Sequence, residues 1–266
     1  TGAGVFNGQG GSATVTIQND GFMTANQIIL GQNADLNVDS SGFLLVDSTN
    51  TAGAVTAAVT VNSPASMNVT NSGVALVTSA TQTAIIQVGS QAGETGTLNI
   101  NTNGTATVRS TGPGLALMNA GDNGGTGTVN IESGGSLTVE SSGTGSALMR
   151  VGRDPGSIGI LNMTNGALTI EGTGNNASSV LDFGRDGGTG NGVIIDSTIN
   201  VLNDNLGTAT SSVNVGRDGG TGVVTMNNSA LTVEGFLSVG RNGNGTLTIE
   251  NGSTVTNTGA TGLTRI

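Results

Sequence analysis

The chain has 266 residues, 47 of them Gly, with 39 Thr, 30 Asn and no Cys, His, Trp, Tyr or Lys, and seventeen acids against seven Arg give a net charge of −10. Without Cys or His there can be no zinc finger, thiol nucleophile, Ser-His-Asp triad or disulfide. The acidic balance speaks against a nucleic-acid surface, and an aromatic content of 2% speaks against base-stacking platforms and most sugar-binding clefts.

Only 9% of residues are charged. A weakly charged chain rich in Val, Ile, Leu and Thr predicts ordered β structure, since disordered chains are usually charged and poor in such residues. No apolar run approaches the ~18 residues of a membrane helix, so no membrane span is expected. The opening Thr1-Gly2-Ala3-Gly4 lacks the basic and apolar regions of a signal peptide, as expected of a mature secreted chain or of an internal fragment.

From the N-terminus, Gly8 and Gly31 stand 23 residues apart, and a weak repeat, LGQNADLNVDSSGFLLV, starts at Leu30. A degenerate copy lies near Ala57 and Ala58. Regular copies follow: VGSQAGETGTLNINTNGTATV from Val88, AGDNGGTGTVNIESGGSLTVE from Ala120 and VGRDPGSIGILNMTNGALTIEG from Val151. FGRDGGTGNGVIIDSTINVL then starts at Phe183, VGRDGGTGVVTMNNSALTVEG at Val215 and VGRNGNGTLTIENGSTVTNTG at Val239. The second residue of each regular copy is Gly: Gly89, Gly121, Gly152, Gly184, Gly216 and Gly240, at steps of 32, 31, 32, 32 and 24 residues. The expectation is one domain over 1–266, degenerate over 1–87 and regular over 88–266, with about nine copies. The longer steps add loop-like residues near Thr144, Thr173 and Asn205, which should project from one corner.

Each copy splits into three short stretches with period-two alternation, the mark of half-buried strands. In the Gly152 copy these are ALMRV, ILNMT and ALTIE, with Met149/Val151, Leu161/Met163 and Leu168/Ile170 facing inward. Equivalent pairs are Leu237/Val239, Leu247/Ile249 and Leu231/Val233. One three-stranded unit cannot bury its apolar face alone, whereas stacked units make every inward residue part of a column. The fold class expected is therefore all-β: a parallel β-solenoid (β-helix) of about nine coils with three short strands per coil. A β-sandwich would share the turn spacing but would not explain the 24/32 register or the recurring turn.

That turn, GRDGGTG, carries the most chemistry. Arg153, Arg185, Arg217 and Arg241 follow the repeated Gly; Asp154, Asp186, Asp218 and Asn242 come next; Asp122 occupies the arginine slot of its own copy. In a solenoid they stack at one corner about 4.8 Å apart. The first reading is structural: Asp accepts turn N–H groups, Gly supplies positive φ and Arg offsets like-charge stacking. A second is a charged ladder that holds an anionic sugar or a surface. A third is a cation site. No cofactor is expected, with Ca²⁺ at this corner as the remaining possibility, although GRDGGTG does not match the calcium-binding β-roll repeat GGxGxDxUx.

Glu140, Glu171 and Glu234 end third strands, and Glu132 and Glu250 end second strands. Paired carboxylates on one face are what a glycan-cleaving enzyme would use. These recur copy after copy, whereas an active site is singular, so no catalytic residue is assigned. Asp35, Asp39 and Asp47 read as solvated. Thr14/Thr16, Thr105/Thr107 and Thr246/Thr248 suggest outward Thr ranks, interrupted across copies, which makes ice binding a minor alternative.

The pattern VG-x-x-G-x-G-x-LTI-x-NG-x-TVT, clearest at 239–256, resembles the repeats of bacterial autotransporter passenger domains and related secreted β-strand-repeat proteins. The resemblance covers most of 88–262. It implies a right-handed solenoid at the surface of a Gram-negative cell, acting as an adhesin, a biofilm or matrix component or a rigid stalk. The resulting expectation is a non-enzymatic extracellular rod, with polysaccharide binding or cleavage as the alternative. The expected partners are cell-surface or matrix polysaccharide and further copies of the chain. Leu263-Thr264-Arg265-Ile266 reads as an open first strand, on which another copy could stack head to tail.

Overall fold

The computed structural model describes residues 3–6, 11–48, 56–62, 64–203, 210–258 and 263–265. These residues form twenty-eight strands and no helix. The strands build three sheets, of ten, nine and nine strands, and each strand pairs with its equivalent one coil away. Neighbours are parallel throughout, as in Ala116–Ala120 beside Ala147–Arg153. The chain is a parallel β-solenoid with three strands per coil.

The expectation of about nine coils needs correction. About seven coils have a coil above and a coil below. The outermost strands of each sheet, such as Ala13–Ile17 and Asn244–Glu250 in the second sheet, have one neighbour only. The difference shows in burial: Leu161 and Met163 are fully buried, but Leu247, at the equivalent position, is only partly covered, and Ile249 is 49% exposed. The inward assignment of Leu247 and Ile249 therefore lacks the burial found one coil earlier.

Inside, columns run the length of the stack. In the ten-stranded sheet Ile28, Val59, Ile86, Met118, Met149, Leu181, Val213 and Leu237 follow one another in register. The third sheet contributes Val77, Val108, Val139, Ile170, Val201 and Val233. All are buried. The columns are not uniform, and their irregularities compensate. Phe183 stands where its neighbours carry Val151 and Val215. Its ring is accommodated by Gly192, which replaces the Leu161 and Val224 of adjacent coils; a Cβ there would approach Phe183 Cε1 to 2.8 Å.

The corner between first and second strands explains the repeated Gly. Gly89, Gly121, Gly152, Gly184, Gly216 and Gly240 all have φ between 62° and 76°, a conformation that L side chains rarely adopt. All but the last are also pressed by the next coil: a Cβ on Gly152 would collide with the carbonyl of Thr189, and one on Gly184 with that of Thr221. A second Gly column, Gly96, Gly127, Gly159, Gly190, Gly222 and Gly245, faces the first across the corner. Gly31 does not show the left-handed conformation, and Gly8 lies outside the described residues.

The added loops do not simply project. A Cβ on Gly143 would collide with the carbonyl of Gly112, and one on Gly174 with that of Gly143, so the loops stack backbone on backbone. Ser110 Oγ donates to Gly114 O (2.7 Å) and Ser141 Oγ to Gly145 O (2.6 Å), which fixes each loop to its own coil. The loops thus form a stacked wall beside the ten-stranded sheet. Of the loop near Asn205, residues 204–209 lie outside the described residues.

Candidate functional site

The outer face of the ten-stranded sheet departs most from the sequence reading. Two outward columns run along it. One is mostly apolar: Ala58, Ile85, Leu117, Leu148, Val180, Ser212 and Phe236. The other is polar: Thr60, Gln87, Asn119, Arg150, Asp182, Asn214, Ser238 and Arg265. Outward residues of a solenoid are ordinarily solvated, yet Asn119 and Asp182 are 1% exposed and Asn214 is 2% exposed. The face is a trough. Over the coils that carry Leu117, Leu148 and Val180 the stacked loops flank it on one side, and from Asp122 to Arg241 the arginine–aspartate corner flanks it on the other.

The corner arginines are in register, Arg153 beside Arg185 beside Arg217 beside Arg241. Arg153 Nε lies 3.2 Å from Asp154 and 3.7 Å from Asp122. Arg185 binds Asp186 (2.9 Å) and Asp182 (3.3 Å), while Arg217 binds Asp218 (2.8 Å) and reaches Asp182 (3.5 Å). The aspartates double as turn residues: Asp154, Asp186, Asp218 and Asn242 have φ of 71°, 51°, 50° and 53°. Asp and Asn tolerate that conformation best among residues with side chains. This geometry supports the structural reading of the corner, and it also places guanidinium groups over a buried carboxylate, Asp182.

Electrostatics differ along the corner. Burial raises the pKa of Asp122, and its hydrogen bond with Asp154 raises it further. For Asp154 burial works upward, but the bonds from Asp122 and Arg153 prevail and lower it. Arg217 holds Asp218 below the ordinary carboxylate value through a direct hydrogen bond. Burial and the neighbouring Arg153 and Arg185 pull Arg150 below its ordinary value, and its Nε is buried without a hydrogen-bond partner.

Charge is sorted by sheet. Six of the seven arginines, at 150, 153, 185, 217, 241 and 265, lie on strands of the ten-stranded sheet, and the only acid on those strands is Asp182. At the Arg217 end the trough deepens into a hollow of about 410 Å³, lined by Arg217, Arg241, Arg265, Phe236, Asn214 and Ser238 among others and, among the described residues, by no acid.

The structure does not gather the carboxylates into a cleft. Glu140 stacks on Glu171 in the third sheet and forms an ion pair with Arg109. Glu234 accepts the N–H of Asn203 (2.7 Å), and Glu132 and Glu250 lie on the second sheet. Asp35 and Asp39 are not simply solvated. Asp35 accepts from Ser66, and Asp39 accepts from Thr70 and Asn71 (2.7 Å), which ties adjacent coils and lowers the pKa of Asp39. Among the described residues no three acids cluster as a metal site would require. Thr107, Thr138 and Thr169 stack, as do Thr232 and Thr256, but Asn200 interrupts them.

One ladder escaped the sequence reading. Asn37, Asn68, Asn99, Asn130 and Asn162 stack on the second sheet, each Nδ2 donating to the Oδ1 of the preceding Asn at 2.7–2.9 Å. Its signal was the Asn one residue before the last inward residue of the second strand, as in Leu98-Asn99-Ile100 and Val129-Asn130-Ile131. The trough had only a faint signal, because outward positions of the first strand vary from coil to coil. Comparison with known proteins returns no matching family model, no matching characterised protein and no matching solved structure.

Proposed function

We propose that this chain is a rigid, non-enzymatic rod that works outside the cell, in surface attachment, matrix building or fibre formation, with end-to-end stacking of copies as one route to fibres. The observation that carries this reading is the continuity of the columns: apolar residues, Gly corners and the Asn ladder run from coil to coil, so bending would break many contacts at once. The resemblance to secreted β-strand-repeat proteins supports the location. The chemistry-bearing residues support the mechanical role, because Arg153, Arg185 and Arg217 each pair with the Asp that follows them at the same corner of successive coils.

Electron microscopy of the purified chain, combined with incubation on a panel of polysaccharides, tests the reading. The expected result is straight rods or fibres with no release of new glycan ends. Catalytic turnover of any polysaccharide, or flexible particles without a rod axis, would overturn it.

A further inference from the structure

We infer that the trough of the ten-stranded sheet is a binding site for a linear anionic glycan, gripped at its Arg217–Arg241–Arg265 end. A rod without this ligand would fold and stack identically, so the inference goes beyond the mechanical reading. Three observations support it. First, among the described residues the hollow collects three guanidinium groups and no carboxylate, on a molecule of net charge −10. Arg217 is partly spent on Asp218 and Asp182, but Arg241 and Arg265 form no ion pair among the described residues. Guanidinium groups bind carboxylate and sulfate oxygens through paired hydrogen bonds.

Second, the floor is amphipathic along its length. Phe236, Val180 and Leu148 offer apolar surface to the C–H faces of sugar rings, while Asn214 and Ser238 beside them line the hollow as polar residues. Ser238 Oγ is buried in this floor without a hydrogen-bond partner. Third, the same two columns open into another hollow of about 450 Å³ at the opposite end of the sheet, over Gln27, Ala58, Ile85 and Gln87. A face that runs an apolar column beside a polar one, adding a residue to each every ~4.8 Å, suits an extended polymer.

An acidic peptide is the competing occupant. Extended peptides usually bind a free sheet edge through main-chain hydrogen bonds. This is a sheet face, whose backbone groups are already paired between coils, and only side-chain donors and acceptors remain. That favours a hydroxyl-rich chain.

The test is fluorescence anisotropy of labelled polygalacturonate oligomers with the full chain, alongside neutral dextran and poly-glutamate. The variants are Arg241→Gln with Arg265→Gln, and Arg109→Gln as the control on the third sheet. Circular dichroism and the thermal midpoint report separately whether the rod is intact. The expected result is salt-sensitive binding of polygalacturonate with little binding of dextran. Losing both trough arginines should weaken it on the order of tenfold or more, while Arg109→Gln leaves it within about twofold. Absence of binding by a folded chain would overturn the proposal and leave the rod reading standing. Equal losses in the two arginine tests would overturn it too, and equal binding of poly-glutamate would replace the glycan by a peptide or by general anion attraction.

Discussion

Gly152 and Gly240 occupy the same slot of the repeat and have nearly the same φ, 74° and 76°, yet their surroundings differ. A side chain at 152 meets the Thr189 carbonyl of the next coil, whereas the nearest atom to one at 240 is the Gly243 carbonyl oxygen, 3.6 Å away. Gly240→Ala should therefore cost only the conformational penalty, about 1–2 kcal/mol. Gly152→Ala should cost at least about 3 kcal/mol, because the coil must also shift. Chemical denaturation of the two variants separates the effects. Asp218 offers a pH test. Its folded pKa lies below the ordinary value of 3.8, so its stabilising contribution is full at neutral pH. That contribution declines as the pH falls below the unfolded value and is gone once the pH passes below the folded one. Asn fits the left-handed turn, as Asn242 shows at the equivalent position. Thermal midpoints of Asp218→Asn should thus fall less steeply than those of the parent protein as the pH is lowered through the ordinary value of 3.8 and below it.

Strands succeed here by matching their neighbours, so defects should be repairable in pairs. Gly192→Val places a side chain against the Phe183 ring, and Phe183→Val leaves a void beside Gly192. Each change alone should destabilise the protein by about 1–3 kcal/mol, by overpacking and by cavity formation respectively. The double variant restores the Val seen at 151, 215 and 224 in flanking coils. It should recover most of the loss, which a double-mutant cycle measures. The Asn ladder is another element-scale device. Asn99 donates to Asn68 and accepts from Asn130. Asn99→Ala breaks both bonds and should cost about 1–3 kcal/mol in urea unfolding, at ~0.5–1.5 kcal/mol for each bond.

At the scale of the molecule, the solenoid was legible because inward residues obey period two and the repeated Gly fixes the spacing from Gly89 onward. Both the left-handed φ and the crowding at Gly152 follow from that position. The count of fully stacked coils was harder to read, since burial at Leu247 and Ile249 depends on a neighbour that the local sequence does not encode. The trough was largely hidden. Asn119, Asp182 and Asn214 sit at outward positions, and their burial arises only when the loops stack into a wall and the arginines fold across. The arginine–aspartate turn was legible as a turn, but the sorting of six arginines onto one sheet emerges only once three strands per coil are assigned to three faces. All of this rests on parallel stacking of adjacent coils in the stated register, and the absence of Cys allows a clean test by engineered disulfides. Thr138 and Thr169 are direct partners on adjacent strands, whereas Thr138 and Thr232 are three strands apart, roughly 14 Å. Under oxidation Thr138→Cys with Thr169→Cys should close an intramolecular disulfide, whose Cα atoms must lie within about 7 Å, and Thr138→Cys with Thr232→Cys should stay reduced. Efficient closure of the distant pair, or failure of the adjacent one in a folded protein, would contradict the stacked-coil architecture.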